Sequence, residues 1–119
     1  MIHCSNCQGL LETVRMRCPA CGLAYEGTFY PPRLARLEPE QQRLAEQIVL
    51  AAGNLKEVAG ALEVSYPTLR KRLDALIGAL RELQAADEAR SQALLEEVAA
   101  GRLAPEAAAR LIKEMSGGI

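Results

Sequence analysis

Asn54–Leu80, NLKEVAGALEVSYPTLRKRLDALIGAL, carries two apolar periodicities separated by a three-residue break. Leu55, Val58, Ala59 and Leu62 fall at i, i+3, i+4 and i+7, one face of a short helix. Leu69, Leu73, Leu76, Ile77 and Leu80 repeat the pattern at i, i+4, i+7, i+8 and i+11. The break, Glu63-Val64-Ser65, has the length of a helix-turn-helix connection. Asn54 suits the N-cap of the first helix, with Glu57 three residues on to complete a capping box. Ser65 suits the N-cap of the second, and Pro67 is tolerated in a first turn whose N–H groups lack helical partners.

Upstream, RLARLEPEQQRLAEQIVLAAG adds a third helix, opened by Pro39 with Glu38 and Glu40 at its positive dipole end and stopped by Gly53. The pattern predicts helices over about 39–52, 55–62 and 66–80. With the leucines of the third turned inward, Pro67, Thr68, Lys71, Asp74 and Ala75 face out, and Arg70 and Arg72 lie on the flanks. Thr68 and Lys71 are best placed to reach base edges in a major groove, whereas Arg70 and Arg72 suit phosphates. Tyr66 either packs under the turn or touches the DNA backbone. The bland reading of this RKR run is a solvated helix face, since small Lys/Arg clusters are common there.

All four cysteines lie in two C-x-x-C pairs, Cys4–Cys7 and Cys18–Cys21, ten residues apart. Each pair can chelate through a tight turn, and four thiolates fill a tetrahedral zinc shell with no position left for water. One structural Zn2+ is therefore expected; a redox dithiol pair and a rubredoxin-type iron centre are the rivals. Gly9 and Gly22 are expected to supply left-handed turns that aim N–H groups at sulfur, and Glu26-Gly27 a turn between strands. His3 reads as a surface residue. About 30 residues with so few large apolar side chains scarcely fold without the metal.

The chain of 119 residues has half its composition apolar but only one Phe, three Tyr and no Trp, so the core must be Leu, Ala, Val and Ile. Net charge is −1, and residues 33–83 hold eight Lys/Arg against seven Asp/Glu. That is weak electrostatics for a lone DNA-binding monomer, and it directs attention to dimerisation or tethering. No apolar run approaches a membrane span and no signal-peptide core opens the chain, so the expected setting is the cytoplasm, a reducing compartment that favours metal over disulfides.

In order, the C-x-x-C ribbon, EGTFYPPRLARLEPEQ, G-N-L-K-E-V and S-Y-P-T-L-R resemble a bacterial family known only as a domain of unknown function. Its members are similar in joining an N-terminal zinc ribbon to a helix-turn-helix. The latter resembles sigma-factor region four in S-x-P-T-[LV]-R-x-R-L. The resemblance covers about residues 1–82 and implies a transcriptional regulator. Ser5 stands where such ribbons often place Pro, a change that metal binding is expected to tolerate.

Beyond residue 83, LQAADEARSQ extends the third helix or forms a helical linker. ALLEEVAAGRLAPEAAARLIKEM then holds two short amphipathic stretches broken at Gly101 and Pro105. This pattern resembles short C-terminal helical hairpins that mediate oligomerisation. So small a hairpin must dock on the central helices, on a twin from another chain, or on another protein.

The expected fold is mainly α with a small β N-terminal module: zinc ribbon 1–32, helix-turn-helix domain 33–83, linker 84–90 and helical hairpin 91–119. The expected function is a DNA-binding transcriptional regulator on duplex DNA, a homodimer pairing through residues 91–119, with Tyr66, Pro67, Thr68, Arg70, Lys71 and Arg72 at the DNA and Cys4, Cys7, Cys18 and Cys21 on zinc. The alternative is an adaptor of the transcription or stress-signalling machinery that binds proteins through ribbon and hairpin. Redox release of zinc is a minor variant of either. No small-molecule substrate and no membrane partner are expected. Neither is enzymatic activity, because a single His, no Ser/His/Asp set and no phosphate-binding Gly loop leave nothing for catalysis.

Overall fold

A computed structural model describes residues 3–115. Two strands come first, β1 (Thr13–Arg17) and β2 (Ala24–Phe29), paired antiparallel with Met16 opposite Tyr25 and Arg17 opposite Ala24. The second cysteine pair itself turns the chain between them. Glu26-Gly27 is consequently not the expected turn: Glu26 pairs with Arg15, and the ladder is irregular between there and the Thr13–Phe29 pair. A bulge of this kind strengthens the local twist of a short ribbon. Neither face is covered, and Val14, Met16, Leu23 and Tyr25 are exposed.

From the ribbon the chain passes Tyr30-Pro31-Pro32 into a 3-10 turn, Arg33–Arg36, and delivers Leu37 into the helical core at 2 % exposure. Gln42 holds this approach by donating from Nε2 to the Leu37 carbonyl (2.7 Å) and the Ala35 carbonyl (3.2 Å). Helices α1 (Pro39–Leu50), α2 (Leu55–Leu62), α3 (Tyr66–Ala99) and α4 (Pro105–Met115) follow. Leu44, Val58, Ala59, Leu69 and Leu76 close the core around Leu37, with Ile48, Leu62 and Leu73 at its edge. Leu69 is fully buried. No helix among the described residues is long and apolar enough to cross a membrane.

Of the two expectations for the stretch after residue 83, α3 takes the extension: it does not end near Leu80 but runs 34 residues, about 50 Å at the helical rise. From Ala79 to Ala100 the sequence contains neither Gly nor Pro and is dominated by Ala, Leu, Glu, Gln and Arg, so nothing interrupts it. The expected linker 84–90 is the interior of this helix. The expected hairpin is then the far end of α3 folded against α4, with Gly101 at φ +77° after the helix end. The last four residues of that expected hairpin lie outside the described ones. α4 packs on α3 of the same chain, burying Ala108 and Met115.

Midway along α3 a charge sits in the apolar stripe. Leu76, Leu80, Leu83, Asp87, Leu94 and Val98 share one face, and Asp87 is only 4 % exposed. Arg36 meets its carboxylate bidentately, Nη1 to Oδ1 at 2.9 Å and Nη2 to Oδ2 at 2.6 Å. Arg33 Nε adds 2.8 Å to Oδ2, and the Tyr30 hydroxyl donates to Oδ1 at 3.1 Å. The Tyr30 ring lies under both Arg36 and Arg90, whose guanidinium carbons are 4.8 and 5.2 Å from its centroid. The segment leaving the ribbon is thus fastened to the middle of the long helix.

Breaking such a buried pair from one side leaves uncompensated charge, a loss of about 3–5 kcal/mol. Asp87→Asn should lower the stability of the helical body by that order at pH 7, read from urea unfolding followed by far-ultraviolet circular dichroism. Arg36 first, then Arg33 and Tyr30, hold the Asp87 carboxyl below its ordinary pKa against the opposing effect of burial. The stabilisation is therefore present above the usual carboxylate range and lost as pH falls through the lower folded value. The gap between wild type and variant should close at strongly acid pH.

Candidate nucleic-acid interface and cysteine knuckles

The helix-turn-helix is built from caps. Asn54 Oδ1 accepts the Glu57 N–H at 3.3 Å and starts α2. The reciprocal half of the expected box is not made, because the Asn54 N–H is used on the Ala51 carbonyl at 3.0 Å. α2 ends with Glu63 in the left-handed region at φ +56°, and the Val64 N–H reaches back to the Ala59 carbonyl at 3.1 Å. Ser65 then opens α3, its Oγ accepting the Thr68 N–H at 3.3 Å and lying 2.8 Å from Thr68 Oγ1.

All six residues expected at DNA are exposed at this end of α3: Tyr66, Pro67, Thr68, Arg70, Lys71 and Arg72. Their availability differs. Pro67 has no N–H, the Thr68 N–H is capped, and the Leu69 N–H goes to the Ser65 carbonyl at 3.0 Å. Little of the helix N-terminus is left free to bind an anion. Arg70 shares its charge with Asp74, 3.4 Å away on the next turn. Lys71 and Arg72 have no ion-pair partner among the described residues. The Thr68 hydroxyl is already committed to the cap, which leaves Lys71 as the freer polar side chain.

The two cysteine pairs fold as the same loop twice. In the first, the Cys4 N–H donates to the Gly9 carbonyl (2.8 Å), the Gln8 N–H returns to the Cys4 carbonyl (2.9 Å), and His3 bridges Leu10. In the second, the Cys18 N–H donates to the Leu23 carbonyl (2.7 Å), the Gly22 N–H returns to the Cys18 carbonyl (2.8 Å), and Arg17 pairs with Ala24. Each loop needs one left-handed residue at the same place, Gln8 at φ +63° and Gly22 at φ +80°. The left-handed turn expected at Gly22 is present; Gly9 is instead where the backbone runs close to sulfur, since an added Cβ would stand 3.3 Å from Cys7 Sγ.

Within each loop backbone N–H groups make the first thiol more acidic than an ordinary cysteine. The Cys7 and Asn6 N–H groups lower the Cys4 pKa, and those of Cys21 and Ala20 lower that of Cys18. The Asn6 N–H to Cys4 Sγ distance is 3.3 Å. These donors come from inside the pair rather than from the glycines. Each loop thus holds half of a tetrahedral thiolate set, a donor chemistry that fits zinc. Among the described residues no three His, Cys, Asp or Glu side chains gather into one ligand group.

His3 is more engaged than a surface reading implies. Its Nε2 is 2.7 Å from Glu38 Oε1 and its Nδ1 3.2 Å from the Gln8 carbonyl, tying the first loop to the start of α1. Glu38 chiefly, and then the Gln8 carbonyl, raise its pKa. Sequence reasoning also missed the Tyr30–Arg33–Arg36–Asp87 cluster. Its available signal was an aspartate on the leucine stripe of a helix.

A non-glycine left-handed residue carries about 1–2 kcal/mol of steric strain, while glycine adds about 0.5–1 kcal/mol of unfolded-state entropy. Glu63→Gly should raise stability by about 0.5 kcal/mol, and the β-branched Glu63→Val should lower it. Urea midpoints of the two variants against wild type check both signs.

No curated protein and no solved structure matches the chain. One family model does: residues 37–82, from the buried Leu37 through α1, α2 and the first half of α3, match Domain of unknown function (DUF2089)-HTH. The matched span holds the helix-turn-helix and leaves the cysteine loops and α4 outside.

Proposed function

We propose that the protein is a DNA-binding transcriptional regulator in which the α2–α3 pair reads duplex DNA and the cysteine loops share one structural zinc. The observation that carries the reading is the capped helix-turn-helix with Lys71 on the outward side of α3 and Arg72 on its flank, both exposed and without an ion-pair partner among the described residues. Lys71 is the residue assigned to base edges, with Thr68 beside it; Arg70 and Arg72 hold phosphates, and Tyr66 and Pro67 border the backbone. A near-neutral domain gains too little from counterion release to act singly, which favours a homodimer on two half-sites. The role is one of binding rather than catalysis.

Cys4, Cys7, Cys18 and Cys21 are the residues that would hold zinc, which supplies folding free energy to the ribbon. Support comes from the matched loops and from N–H groups directed at Cys4 and Cys18. A second reading, an adaptor, is favoured by the uncovered sheet face around Met16 and Tyr25, which suits a protein partner better than a phosphate backbone.

Selection from a pool of random duplexes with zinc-loaded protein tests the first reading. Enrichment of one sequence class is expected. Lys71→Ala should relax preference at about one position, while Arg70→Ala should weaken all sequences alike and reduce the salt slope by about one. Failure to enrich anything at low salt, with pull-down partners retained by these variants, would move the assignment to the adaptor. Native mass spectrometry should find one zinc per chain, lost in Cys18→Ser; a chain that binds none removes the metal from the proposal.

A further inference from the structure

α1 turns Leu44, Ile48 and Ala51 into the core and leaves its other face open. That face, with the 3-10 turn beside it, lines a groove of about 720 Å³. Its ends are apolar: Leu34 and Pro39 at one, Val49 and Leu50 at the other. Leu34, Val49 and Leu50 are 57, 76 and 79 % exposed, unusually open for large aliphatic side chains lining one groove. Between the ends stand Arg43 and Glu46, the charged residues of the lining, one turn apart. Neither has an ion-pair partner among the described residues.

We propose that this face of α1 is where two copies of the chain associate, antiparallel about a two-fold axis that passes between Arg43 and Glu46. A two-fold contact presents the same patch from both sides, so each residue meets its counterpart across the axis. About this axis Arg43 of each copy faces Glu46 of the other, and both charges are answered twice. The same rotation lays the Val49–Leu50 end of one copy on the Pro39–Leu34 end of its mate. Pro39 and Leu50 are separated by about 16 Å along the helix, so charges and both apolar ends fall within one contact.

The charge order, plus then minus about a midpoint with apolar ends, is complementary to its own reversed copy. An unrelated surface has no such requirement to meet it. The hairpin, the other candidate for pairing, already has Ala108 and Met115 buried within the chain. The inference rests on the proposed function only in giving the α2–α3 pair its second half-site. Solution mass measured without DNA tests it separately.

Sedimentation equilibrium of the full chain should show a dimer. Arg43→Glu and Glu46→Arg each turn two attractive pairs into two repulsive ones and should raise the dimer dissociation constant about tenfold or more. Each variant carries one sign of charge at the centre, so an equimolar mixture of the two should recover a dimer of one copy of each. The double variant, Arg43→Glu with Glu46→Arg, should recover it too. Val49→Lys, at an exposed position, should weaken pairing through the apolar end without touching the charges. A wild-type chain that stays monomeric at several hundred micromolar overturns the proposal. So does a dimer indifferent to the charge reversals, which assigns pairing to another face, or a mixture that associates no better than its components.

Discussion

Burying a carboxylate along the leucine stripe of a helix is unfavourable unless cations meet it directly, and here two arginines and a tyrosine do. Asp87 lies where α3 leaves the helix-turn-helix core and heads toward α4; Arg33 and Arg36 lie where the chain leaves the ribbon. One carboxylate therefore relates three parts of the molecule. Hydrophobic packing by itself does not specify that relation, because leucine stripes tolerate sliding, whereas a bidentate fork has a single register. The Tyr30 ring between Arg36 and Arg90 adds a planar contact to both, and only Arg36 Nε is left, among the described buried side-chain atoms, without a partner.

The helical pattern was legible because local rules agreed with the global result. Leu55 to Leu62 and Leu69 onward carry one period each, and Asn54 and Ser65 cap where the structure caps. What escaped were relations between distant residues. The far end of α3 is open in the sequence between an extension of the helix and a separate helical linker, and the freedom of the stretch after Leu80 from Gly and Pro agrees with the extension that forms. Asp87 escaped because its partners lie 51 to 57 residues away, and no periodicity connects them. In the ribbon, Gln8 occupies a backbone conformation that composition assigns to a neighbouring glycine; only the equivalence of the two loops identifies the position.

Electrostatically the helix-turn-helix is modest. Arg70 is shared with Asp74, the first-turn amides are largely committed, and the capped Thr68 hydroxyl is held by Ser65. Lys71 and Arg72 carry most of the outward positive character. Such a surface depends on what accompanies it, whether a second copy or the uncovered ribbon. The ribbon and α4 lie outside the span that matches the helix-turn-helix family model, so two small modules flank the matched one.

The continuity of α3 has a mechanical side. Lys71 and Asp87 stand on one rigid rod about 24 Å apart, with the α4 contact beyond Asp87 on the same rod. Any event that tilts the distal half, pivoting at the arginine clasp, swings the Lys71 end with it. By simple leverage a tilt of about 10° displaces that end by about 4 Å, more than a hydrogen bond's length. The helix carries a small rearrangement at the hairpin through to the exposed start of α3, and the clasp sets the fulcrum.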